Sequence, residues 1–130
     1  MKWLRRLEPL TLSALRIMTG LLFMEHGTGK LFGFPSSANH PAFLTLGWFA
    51  GILECFGGAL VAGGLLTRPV AFLLSGEMAI GYFMVHAPKS FFPLINGGDA
   101  AVLYCFIFLY LSVAGPGPFS LDRYRGRSVI

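Results

Sequence analysis

Between residues 24 and 34 the chain reads MEHGTGKLFGF, which places Glu25, His26 and Lys30 within six positions at the end of an apolar run. Arg16, Glu54 and Glu77 stand inside apolar runs, and His86, Asn96 and Asp99 sit where two more runs approach each other. Acids, a strong base and imidazoles in greasy surroundings are the groups of proton-transfer chemistry. Histidine titrates near neutral pH and can pass a proton to or from a substrate. A carboxyl removed from water can keep a proton that an exposed one would lose. Even gentle insertion scales put a mid-span charge at about 2.5–3.5 kcal/mol, so such groups face the protein interior and find partners there. Glu54, Glu77 and His26 are therefore the candidate catalytic residues. Arg16, Glu25, Lys30, His86, Asn96 and Asp99 are the candidates for binding a substrate.

The elements that must position them are set by composition. The 130 residues are 55% hydrophobic, 15% aromatic and only 12% charged, against about 25% charged in soluble domains. With a mean hydropathy of +0.67, a water-soluble fold would leave too much apolar surface uncovered, and membrane lipid is the expected solvent. The length allows one domain, residues 1–130. Four apolar runs separate, at about 9–32, 42–66, 69–87 and 98–115, each near the length of about 20 residues that crosses a bilayer. Backbone in lipid must pair within its own segment, so the runs are predicted helices. The expected fold is all-α, an integral membrane four-helix bundle.

Lys2, Arg5, Arg6, Arg68, Arg123, Arg125 and Arg127 fall on one side of such a bundle, and only Lys30 and Lys89 near the other. That asymmetry predicts an N-in/C-in topology. The first run is too long for a signal-peptide core and lacks a small-residue cleavage site, so it reads as a retained span. Basic and aromatic residues do not interleave as a nucleic-acid surface would require. Cys55 and Cys105 form no CxxC pair and read as buried thiols.

Helical phase puts Glu54 on one face with Gly47, Gly51 and Gly58, Arg16 with Gly20 and Gly27, and Glu77 with Gly81. Small residues let helices approach closely in lipid, so each charge is expected to face a close helix contact. Counted from the basic side at 1.5 Å per residue, Arg16 lies about 9 Å in, Glu77 about 13 Å and Glu54 about 18 Å. An Arg16–Glu77–Glu54 cluster follows, in which one arginine cannot neutralise two acids and one Glu holds a proton. Near the opposite face, Glu25, His26, Lys30, His86, Asn96 and Asp99 form a second layer. Asn96 and Asp99 of NGGD also suit the start of a helix. His26 and His86 carry no haem signature such as CxxCH, and interface hydrogen bonding is the preferred reading.

Three stretches then read together: RIMTGLLFMEHGTGKLFGF, ECFGGALVAGGLLTRPVAFLL and FPLINGGDAAVLYCFIFLYLSVAGPGPFSLD. From Arg16 to Asp122 the chain resembles the DoxX family of small bacterial membrane proteins. The resemblance carries to Arg16, His26, Gly27, Lys30, Glu54, Thr67, Arg68, Asn96, Gly97, Gly98 and Asp99. Where the family reads NGGE this chain has NGGD, which shortens the reach of that carboxylate but serves a helix start well. The resemblance implies a four-helix protein of the bacterial inner membrane, related to the membrane subunit of thiosulfate:quinone oxidoreductase. Members are linked to quinone, catechol or sulfur-compound stress. The leading expectation is a quinone-interacting oxidoreductase, or a subunit of one. Quinone would be held by His26 or Lys30, protons handled by Glu54 or Glu77, and Tyr82 and Tyr104 would line the ring pocket. No flavin, nicotinamide or iron–sulfur motif is visible, so electrons would come from a soluble redox partner or a small reductant. Two other readings stand beside it: a non-catalytic subunit or scaffold anchoring a soluble oxidoreductase, and a small proton-coupled carrier. The small-residue faces make a homodimer plausible.

Overall fold

Residues 1–38 and 40–126 are described by a computed structural model; of the basic residues named above, Arg127 lies outside them. Regular structure among the described residues is helical, with no strand. Four long helices, α1 (Glu8–Phe32), α2 (Leu46–Gly63), α3 (Thr67–His86) and α4 (Asp99–Ala114), are joined by loops and accompanied by short turns at Lys2–Arg5, Pro93–Asn96 and Leu121–Tyr124.

Local chemistry sets the ends. α1 carries Pro9 in its first turn, where a missing N–H costs nothing, and stops at Gly33, whose φ of 68° suits a residue without a side chain. α2 begins only at Leu46, later than the apolar run that starts at about 42, because Thr45 caps it: the Thr45 hydroxyl accepts the Trp48 N–H. α3 opens two residues before its run, at Thr67, with Pro69 tolerated inside the first turn. α2 and α3 each contain one π-helical turn, Leu53–Gly57 and Tyr82–His86. Such widened turns recur at functional sites, and here they hold Glu54 in one case and Tyr82 and His86 in the other.

The long helices pack in chain order, α1 on α2, α2 on α3 and α3 broadly on α4, while α4 and α1 meet least. The α1–α2 contact is largely made backbone to backbone. A Cβ added at Gly58 would fall 2.7 Å from the Met24 nitrogen, and one at Gly20 would fall 2.5 Å from the Ala62 nitrogen, while Gly51 lies against the Lys30 Cβ. A side chain at Gly27 would run into the Cys55 backbone. Gly81 differs from the expectation: nothing lies within 4 Å of where its Cβ would be, so no glycine contact accompanies Glu77. Phe23, Val61, Ala71, Leu74, Phe108 and Leu111 form the buried core. Phe72, Phe83, Leu103, Phe106 and Val113 stand mostly exposed on the outer surfaces of α3 and α4, far more apolar surface than water tolerates. α2 and α3 are long and apolar enough to cross a membrane, while the equally apolar α4 has 16 residues.

Candidate functional site

The deepest ionisable group is Arg16, and the structure gives it different company from that expected. Its side chain is fully buried. Nε donates to the Pro116 carbonyl at 2.7 Å, Nη1 to the Val61 and Ala62 carbonyls at 2.7 and 2.6 Å, and Nη2 to the Phe119 carbonyl. Arg16 therefore binds the carbonyl end of α2, where the helix dipole favours a cation, and ties the GPGPF segment to it. All three nitrogens are engaged with the chain itself. The Arg16–Glu77–Glu54 cluster does not form.

Around Arg16 the same end is latched by other buried polar groups. The Asp122 carboxylate accepts the Leu66 and Thr67 N–H groups at 2.9 and 3.1 Å, which holds Leu66 at a left-handed φ of 51°, a conformation costing about 1–2 kcal/mol in an ordinary residue. Ser13 accepts the Phe119 N–H, and Arg68 donates to the Ser112 and Val113 carbonyls at the end of α4. The beginning of α1, the α2–α3 connection and residues 116–122 thus meet at one end of the molecule.

Lys30 takes the place expected for Arg16. Its Nζ donates to Glu54 Oε1 at 2.6 Å, an ion pair in which Glu54 is nearly fully buried and the lysine side chain is one quarter exposed. Glu77 lies within electrostatic reach of both. Among the described residues, Glu54 Oε2 and both Glu77 oxygens are buried without a hydrogen-bond partner. Buried polar groups are nearly always bonded, so three orphan oxygens in one layer are an uncommon concentration. The physical reason for the exchange of partners lies in register. Gly27 lies against Cys55 and Gly51 against Lys30, so the antiparallel α1–α2 pair sets Lys30 within a turn of Glu54 and leaves Arg16 level with the far end of α2.

Beside this layer stands an aromatic wall. Tyr104 stacks on Phe108 at 5.9 Å between centroids, Phe23 meets Tyr104 at 5.1 Å and Phe108 at 4.8 Å, and His26 meets Tyr104 edge-on at 5.7 Å. His26 Nδ1 donates to the Leu22 carbonyl at 2.9 Å, which leaves Nε2 as the proton-accepting nitrogen. His26 and Glu25 are exposed.

The remaining candidates serve the α3–α4 connection. Asn96 is buried; its amide donates to the Tyr82 hydroxyl and the Ser90 carbonyl, and its Oδ1 accepts the Gly98 N–H at 2.8 Å. His86 Nδ1 donates to the Asn96 carbonyl at 3.0 Å. Asp99 is exposed in the first turn of α4, where the dipole favours it. His26 and His86 each bond a carbonyl, and no group of three or more His, Cys, Asp or Glu side chains among the described residues is placed to hold a metal ion. Asp122 was missed as a structural residue because its partners are backbone groups, which leave no mark in side-chain patterns.

Comparison with known proteins agrees with the membrane character of the surface. A family model described as DoxX matches residues 11–87. An uncharacterized protein of Haemophilus influenzae is 39% identical over 130 residues, covering 92% of this chain and 94% of its own. The inner membrane protein YqjF of Escherichia coli is 26% identical, covering 92% and 95%. A Bacillus subtilis protein named "Putative oxidoreductase CatD" is 28% identical over 116 residues, covering 85% and 83%. No solved structure matches the chain.

Proposed function

The chain belongs to the DoxX family, and from that premise we propose that it is a multi-pass inner-membrane protein that handles protons for a quinone-linked redox reaction. The four long helices form the membrane bundle, with both basic ends in the cytoplasm, as the positive charges at Lys2, Arg5, Arg6, Arg68, Arg123 and Arg125 favour. The observation that carries the reading is the layer of Lys30, Glu54 and Glu77, two buried acids beside one cation with three unbonded carboxyl oxygens. One positive charge balances one carboxylate. A second bare carboxylate in the same apolar layer would be costly, so Glu77 carries a proton and Glu54 remains paired with Lys30.

A quinone suits that donor set. Its oxygens accept hydrogen bonds, which the ammonium of Lys30, the Glu77 acid proton and the Tyr104 hydroxyl can supply, and its ring is flat and apolar like the wall of Phe23, Tyr104 and Phe108. When bound, the quinone would supply two-electron redox chemistry. The chain's own residues hold and orient it, exclude water, and hand over or recover the proton at a Glu77 carboxyl oxygen. His26 Nε2 and Glu25, exposed beside the wall, relay protons to the aqueous face. The relative named as an oxidoreductase lends the redox class some support. An anchoring subunit without chemistry of its own is the competing account, and it needs no such layer.

The test is quinone binding by the purified protein in lipid nanodiscs. Wild type is expected to bind a short-chain ubiquinone analogue saturably, with affinity falling about tenfold in Glu77→Leu and Lys30→Met, the loss of one good hydrogen bond of about 1.4 kcal/mol. No saturable binding by folded wild type would leave the anchoring account standing.

A further inference from the structure

We infer that the buried acids are reached sideways from the bilayer, through the seam between α1 and α4, and that this seam admits a lipid-dissolved aromatic ring bearing hydrogen-bonding oxygens. The inference rests on the quinone reading and names the door through which such a molecule arrives.

The four helix seams are built differently. α1 and α2 touch backbone to backbone at Gly20, Gly27 and Gly58, and α3 and α4 also pack broadly. Between α2 and α3, Leu74 fills the space that a side chain at Gly57 would need. α1 and α4 meet least of the four neighbouring pairs, and what joins them is rings: Phe23 and His26 from one helix, Tyr104 and Phe108 from the other. Opening the first three seams means separating backbones or unpacking a core. Opening the fourth on its His26 side leaves the buried Phe23 and Phe108 in place and means turning only the exposed His26 and the half-buried Tyr104 about their side-chain bonds, a motion of partly exposed residues that is fast compared with helix movement. Tyr104 also lies within electrostatic reach of Glu25 and Glu54, so the ring at the seam is near both the exposed acid and a buried one.

Access from the basic end is blocked. Phe23, Val61, Ala71, Leu74, Phe108 and Leu111 are all fully or almost fully buried and form a dry layer, with the latch of Arg16 and Asp122 beneath it.

Carbodiimides test the route without a quinone. The O–H of a carboxylic acid adds across a carbodiimide C=N bond to give an O-acylisourea, which rearranges to a stable N-acylurea and marks the residue for peptide mass spectrometry. With the full-length protein in nanodiscs, membrane-soluble dicyclohexylcarbodiimide is expected to modify Glu77, and a charged, water-soluble carbodiimide to do so many-fold more slowly. Tyr104→Ala should raise the rate with the membrane-soluble reagent several-fold. Tyr104→Phe, which keeps the ring, should leave it near wild type, as should Phe83→Ala on the exposed face of α3. Equal reaction with both reagents, a rate indifferent to Tyr104→Ala, or no modification of Glu77 by either reagent would each overturn the lateral route. If Tyr104→Ala fails to fold, Tyr104→Leu supplies the same gap with more packing. Correct labelling together with absent quinone binding would keep the seam and discard the quinone.

Discussion

Arg16→Met is expected to lose about 3–5 kcal/mol of stability, the largest single effect in the molecule. Each buried carbonyl stripped of its donor costs about 1–3 kcal/mol, and Arg16 serves four, from Val61, Ala62, Pro116 and Phe119. The sum is less than additive because the four share one partner. Methionine fills much of the volume, so the loss reports hydrogen bonds rather than a cavity. Arg16→Lys should recover only part, since a single ammonium cannot span carbonyls from two segments as a planar fork does. Reversible unfolding in mixed micelles, followed by helical circular dichroism, checks this. A mutant of wild-type stability that had lost ligand binding would instead return Arg16 to the substrate-binding role expected from sequence.

Lys30→Met is the second large effect. It leaves Glu54 buried with no cation, and removing one partner of a buried ion pair costs about 3–5 kcal/mol. With the Lys30 side chain one quarter exposed, about 3 kcal/mol is expected. The informative measurement is the double-mutant cycle. Glu54→Gln should be milder, and Lys30→Met combined with Glu54→Gln should regain at least about 1 kcal/mol over the simple sum, the signature of direct coupling. Strict additivity would mean that the two side chains do not interact.

Much of this arrangement can be read from residues alone. Apolar runs long enough for helices, at about 9–32, 42–66, 69–87 and 98–115, place the four long helices. Basic residues foretell that residues near the chain ends and the α2–α3 connection share one end. The burial of Glu54 follows from its phase with Gly51 and Gly58, and that of the Glu77 oxygens from the cost of charge in lipid alone, since Gly81 meets nothing. What the depth argument could not supply was register. Counting each residue from the basic end of its own run treats each helix alone. Matching Gly27 to Cys55 and Gly51 to Lys30 would have paired Lys30 with Glu54. Asp122 and Arg16 were beyond such reasoning for another cause: both bind backbone groups of distant segments, and any residue type can offer a carbonyl or an N–H.

The central claim is that one buried acid keeps its proton beside an ion pair. Infrared spectroscopy of the protein in lipid at neutral pH measures that directly, through the C=O stretching band of a protonated carboxyl. The account predicts such a band in wild type, removed by Glu77→Gln and shifted when a quinone analogue is added. No band at neutral pH, or a band that survives Glu77→Gln, would contradict it.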